Sequence, residues 1–116
     1  MSVLTYRLPM VTNGDGDASA TVRAAGAKLL GVGVEIGTLE AFDLAITDEP
    51  TGTELLSLAA VAADAPYQPA AAMADPTDGT PLAGAFAVPI VFGRIEVAVS
   101  NGGDTLQGEI TLVIER

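Results

Sequence analysis

Arg94-Ile95-Glu96-Val97-Ala98-Val99-Ser100-Asn101-Gly102-Gly103-Asp104, continued by Gly108-Glu109-Ile110-Thr111-Leu112-Val113-Ile114-Glu115, decides the fold class. Ile95, Val97 and Val99 alternate with Arg94, Glu96 and Ala98, and Ile110, Leu112 and Ile114 alternate with Glu109, Thr111 and Val113. A period of two marks a strand, because successive side chains point to opposite faces. Asn101, Gly102 and Gly103 tolerate the positive φ of a tight reversal. The stretch is expected to be a two-stranded antiparallel hairpin with one buried face, and nothing in it is chemistry.

The same pattern spreads outward. Phe42, Leu44 and Ile46 form an inward row, Asp48-Glu49-Pro50-Thr51-Gly52 is a turn, and residues 53–58 return as the next strand. Residues 54–60 would also suit a helix by propensity. The hairpin-length loop and β-like flanks favour the strand. In residues 28–36, Leu30, Val32, Val34 and Ile36 form one face and Gly31, Gly33 and Glu35 the other. Glycines on one face of a strand mark a bulge, a bend or a close backbone approach. They are not a dinucleotide fingerprint, which needs glycine where Ile36 stands. Residues 18–24 form a short strand around Val22. Residues 3–11 are broken by Pro9 and residues 86–92 by Pro89, so both read as edge-like, since proline lacks the ladder donor.

Turn signals recur roughly every ten residues, the spacing of an antiparallel β-sandwich or small barrel. The expected architecture is all-β with one long irregular Ala/Pro-rich segment, residues 59–74. Residues 1–17 are expected to be an N-terminal arm or edge strand and turn, and residues 18–116 a single β domain. The only charge of residues 3–11 is Arg7. That fits an arm reaching toward a neighbour and fits a frayed terminus equally. Residues 59–74 carry one charge and two prolines. On an acidic protein such a segment either crosses the core or forms a subunit contact, and the contact is favoured.

Composition removes several functions. The chain has 116 residues, five basic and fifteen acidic, for a formal net charge of −10. Nucleic-acid binding needs Lys and Arg to displace phosphate counterions, and an anionic membrane surface would repel this chain. There is no cysteine and no histidine. A disulfide, a thiolate metal site, a thiol nucleophile and the commonest general base are therefore ruled out. No leader with a basic and then an apolar region is visible, and no apolar run reaches membrane-spanning length. The expectation is a protein made and folded in a cytoplasm.

Two acidic groupings are candidates for chemistry. Asn13, Asp15 and Asp17 place oxygens at alternate positions, as a calcium loop does. The distal acid of that loop is missing, because Thr21-Val22-Arg23-Ala24 stands there, so a hairpin turn is the preferred reading. Asp75 and Asp78 sit in Pro/Gly surroundings and read as turn residues. Serines lack a histidine to activate them, and fifteen acids allow so many pairings that no pair is evidence. No enzyme activity and no cofactor are expected.

Asp43-Leu44-Ala45-Ile46-Thr47-Asp48, Thr51-Gly52-Thr53-Glu54-Leu55-Leu56-Ser57-Leu58, Val61-Ala62-Ala63-Asp64 and Tyr67-Gln68-Pro69 follow one another along the chain. With Arg94-Ile95-Glu96-Val97-Ala98-Val99-Ser100-Asn101-Gly102-Gly103 and the opening Thr12-Asn13-Gly14-Asp15-Gly16-Asp17-Ala18, this succession resembles small structural proteins of tailed bacteriophages. The likeness runs from Thr12 onward and departs at residues 59–74 and at the short connection before Phe86. The resemblance implies a virion component, a head decoration (cement) protein on the outer capsid surface that bridges coat subunits. It implies the major capsid protein as partner and a homo-oligomer, a trimer being favoured. On that reading Val3, Tyr6, Arg7 and Leu8 are the expected coat contact. Val61, Tyr67 and Met73 are the expected self-association or coat surface. A neck, tail or baseplate component is the alternative within that class, and a free calcium- or carbohydrate-binding β-domain the alternative outside it.

Overall fold

The computed structural model describes residues 2–49, 51–74 and 76–116. Among them are ten strands and no helix: β1 (Val3–Val11), β2 (Ala18–Arg23), β3 (Lys28–Glu35), β4 (Phe42–Glu49), β5 (Thr53–Val61), β6 (Ala65–Tyr67), β7 (Ala71–Ala74), β8 (Pro81–Ala87), β9 (Arg94–Ser100) and β10 (Gln107–Glu115). Two four-stranded antiparallel sheets form, in the orders β1-β10-β3-β6 and β2-β9-β4-β5, and β7 pairs with β8 in a separate ribbon. The chain is an antiparallel β-sandwich.

Alternation builds the core. Leu29, Val32, Val34, Ile110, Leu112 and Ile114 project from the first sheet, and Val22, Phe42, Leu44, Ile46, Ile95, Val97 and Val99 from the second. They form one cluster closed by Met10, Leu39, Val61 and Val91. Full burial of each such side chain contributes ~1.5–3 kcal/mol against exposure. A one-residue slip in any inner strand would turn its apolar row to water.

The closing stretch differs from the hairpin expected of it. β9 and β10 are both strands with one buried face, yet they lie in different sheets. β9 pairs with β2 and β4, and β10 with β1 and β3. Residues 101–106 form an arch across the sandwich, with positive φ at Asn101, Gly103 and Thr105. Alternation reports a buried face but not which sheet the face belongs to. Residues 13–17, expected to be a hairpin turn, likewise carry the chain between sheets. Among the described strands, only β4–β5 and β7–β8 are paired neighbours in sequence.

β3 carries a second correction. Its register against β10 shifts between Val113 and Ile114, which pair with Gly31 and Leu29. Leu30 is the extra residue of that bulge. The phase therefore changes, so Leu29 rather than Leu30 enters the core beside Val32 and Val34. Segment 59–74, expected to be irregular, contains the end of β5, all of β6, which pairs with β3, and all of β7. The strand expected at 86–92 is displaced: β8 begins at Pro81 and stops at Ala87, before Pro89.

At one end of the sandwich three connections interlock around Thr12, which is 3% exposed. Its hydroxyl donates to Gly103 O (2.6 Å) and accepts from Leu106 N (2.9 Å). Gly102 N donates to Gly16 O (2.9 Å) and Glu40 N to Gly102 O (3.0 Å). Gly37 (φ +57°) packs so closely on the Gln107 carbonyl that a Cβ would overlap it. The opposite end is closed by residues 88–93. Leu29 N donates to Pro89 O (3.0 Å), Gly26 N to Val91 O (2.7 Å) and Val91 N to Ala27 O (2.8 Å). The β7–β8 hairpin leaves the sandwich at this second end. The protein measures 48 × 29 × 24 Å, its long axis exceeding the ~30 Å of a nine-residue strand.

Candidate assembly surface

The β7–β8 hairpin and residues 88–92 carry the largest exposed apolar side chains of the described residues. Phe92 is 71% exposed and Phe86 63%, with Ile90, Met73, Val88 and Leu82 also open. Ala71 pairs with Ala87, and the register then shifts between Ala72 and Ala74, so β8 bulges around Gly84 (φ +73°). Two clefts flank the hairpin base. One, of about 260 Å³, is lined by Leu55, Met73, Val88, Ile90 and Phe92 among others. The other, of about 580 Å³, is lined by Leu30, Pro69 and Phe86 with their neighbours. The ribbon is thus apolar toward both sides.

Its base is fixed by Asp48, at the end of β4 and 1% exposed. The carboxylate accepts from Phe92 N (3.0 Å), Gly93 N (3.1 Å) and Thr51 Oγ1 (3.3 Å). A buried charge is tolerated there because amide and hydroxyl donors replace water. Sequence reading gave Asp48 only a place in a turn.

The expected contact residues do not form one surface. On β1, Tyr6 and Leu8 pack against the core, while Val3 and Arg7 are exposed. Arg7 Nε lies 3.9 Å from Glu109 Oε1 across the strand pair, so its charge is matched within the chain. β1 pairs with β10 along its whole length, and Ser2 and Arg116 bond each other's backbone. It is an edge strand of the sandwich rather than a free arm. Val61 is 6% exposed and belongs to the core, which removes it as a surface residue. Tyr67 is half-buried against the core beside Val32. Of these three, Met73 alone is on the hairpin and exposed.

The acidic candidates serve as turn residues. Asn13 Oδ1 accepts from Asp15 N (2.9 Å) and Asp17 N (3.1 Å), so its side-chain oxygen is engaged by backbone donors. Asp78 accepts from Thr80 N (2.9 Å) and Thr80 Oγ1 (2.7 Å). Those two bonds, the amide first, hold its carboxyl below the usual carboxylate range. Asp75 lies outside the described residues. Among the described residues no group of three acidic side chains is placed to hold a metal ion. Asp43 is depressed by the Ala60 amide (3.0 Å) and then by Asn101 Nδ2 (2.9 Å). It braces the β5 bulge, where Ala60 has φ +52°.

Sequence reading missed Phe86, Val88, Ile90 and Phe92 as surface residues. The available signal was charge. From Ala65 to Gly93 the only charged residues are Asp75 and Asp78, so the uncharged stretch extends well beyond residue 74. No model of a known protein family matches the chain, and no curated protein matches it in sequence.

Proposed function

We propose that this chain is a structural component of a tailed-phage virion, a capsid decoration protein that binds the outer shell and bridges coat subunits. The observation that carries the reading is the division of its surface. An acidic sandwich, braced by cross-strand pairs such as Arg94–Glu49 (3.3 Å) and Lys28–Glu115 (3.9 Å), projects a nearly uncharged apolar hairpin. Patches of this kind mark association sites rather than catalytic ones. The sequence supports the same reading, because it offers neither histidine nor cysteine for catalysis. Asn13, with its oxygen engaged by backbone amides, supports a turn over the calcium-binding alternative.

The mechanism is additive burial. Each copy covers a junction between coat subunits, and its contacts are lost when they part. Many weak copies then oppose expansion of the shell through multivalency. Sedimentation with undecorated heads tests this. The protein is expected to pellet with heads, saturate at a simple ratio to coat protein and raise their disruption temperature. Protein left wholly in the supernatant would refute the proposal.

A further inference from the structure

We infer that the β7–β8 hairpin, with residues 88–92, is the docking surface for a second copy of this chain. The inference goes beyond the virion reading and stands without it, because it concerns the free protein. A two-stranded ribbon is marginal in water by itself, and among the described residues this one pairs with no further strand. Both of its long edges are open. Native proteins guard such edges with lysine or other charges, yet between Ala65 and Gly93 the sequence has only two charges, Asp75 and Asp78, and neither falls within β7 or β8.

Charge and area select the occupant. The chain carries −10, and all but two of its fifteen acids lie outside the hairpin region. A basic partner would be attracted to the sandwich, where those acids are. A second acidic copy meets least repulsion where neither copy is charged. Met73, Leu82, Phe86, Val88, Ile90 and Phe92, at their observed exposures, leave on the order of 600 Å² of apolar surface bare across the two sides of the ribbon. A standard interface buries about 800 Å² per partner. Backbone and alanine atoms around these side chains supply the difference. Two hairpins joined antiparallel along an open edge pair their backbones, set Phe86 against the other ribbon on one side and Met73 with Phe92 on the other, and keep the two copies of Asp78 apart. Such a contact is self-complementary and closes as a dimer.

The test is the mass of the purified chain by light scattering and sedimentation, from micromolar to several hundred micromolar. The native protein is expected to show a concentration-dependent mass of two copies or more. Phe86→Asp with Phe92→Asp, at exposed positions, is expected to weaken association by at least about thirtyfold with an unchanged urea midpoint. Val3→Asp, on β1, is expected to leave association unchanged. Leu82→Cys introduces the chain's single thiol and is expected to cross-link copies under mild oxidation. A monomer at every concentration overturns the inference, as does an oligomer that the hairpin variant leaves intact or that Val3→Asp abolishes. If a monomer binds heads and loses them in the hairpin variant, the face belongs to the coat: the inference fails while the virion reading survives. An oligomer that the hairpin variant dissolves and that ignores heads upholds the inference and refutes the virion reading.

Discussion

Replacing Asp48, near the end of β4, should be among the most damaging single changes in this protein. Its carboxylate accepts from the amides of Phe92 and Gly93 at 3.0 and 3.1 Å, with Thr51 Oγ1 at 3.3 Å. A hydrogen bond to a charged group contributes ~1.5–3 kcal/mol, and an amide left without an acceptor costs ~1–3 kcal/mol when buried. The carboxylate is buried, but Phe92 is open to solvent and Gly93 half-buried, so water replaces part of what is lost. Asp48→Ala should therefore cost ~2–4 kcal/mol, a large share of the ~5–15 kcal/mol typical of a domain. The melting temperature should fall on the order of 10–15 °C. Asp48→Asn keeps the shape but turns one acceptor into a donor facing an amide, and should cost ~1–2 kcal/mol. Urea unfolding gives both values if the slope is unchanged. Amide exchange at Phe92 and Gly93 should accelerate in the alanine variant. Two variants within about 0.5 kcal/mol of the native protein would refute the assignment of Asp48 as the anchor of the hairpin.

Thr12→Val preserves shape but removes the hydroxyl between Gly103 and Leu106, and should cost ~1–3 kcal/mol in urea unfolding. Ala60 holds φ +52° in the β5 bulge, so Ala60→Gly should relieve strain and raise stability by ~0.5–1 kcal/mol, read from the same transition. The folded pKa of Asp43 lies below its ordinary value, so its contribution is present above the unfolded pKa of about 3.9 and is lost as pH falls through the folded value. Acid unfolding of Asp43→Asn should accordingly depend less steeply on pH below about 4 than that of the native chain.

The alternating rows of β4, β9 and β10 were legible in sequence because a strand with one buried face must alternate. Their partners were not. Ile95 and Ile110 each signal an inner face, but one serves each sheet, and only the arch at 101–106 decides that. Arches and hairpins draw on the same Asn and Gly residues, since both need positive φ. The phase of β3 was misjudged because the bulge at Leu30 is set by its pairing with β10. The exposed surface was half legible. Absence of charge marked residues 59–74, and Met73 follows from it. Yet the more exposed Phe86, Ile90 and Phe92 sit in a run that reads as an edge-like strand, with nothing to say which of its side chains stay uncovered. Hydrophobicity cannot distinguish a side chain covered by its own fold from one awaiting a partner. Asp48 was hidden for the complementary reason: an acid next to proline and glycine has the composition of a turn, whatever its carboxylate holds.

The hairpin is proposed as the surface through which this protein associates. Hydrogen exchange measured on dissociated and assembled protein tests that claim most directly. Slowed exchange on assembly is predicted for the amides of β7, β8 and residues 88–92, with the outer faces of both sheets and the 13–17 and 101–106 connections unaltered. Protection appearing on those faces or connections, with the hairpin exchanging as fast as before, would contradict it.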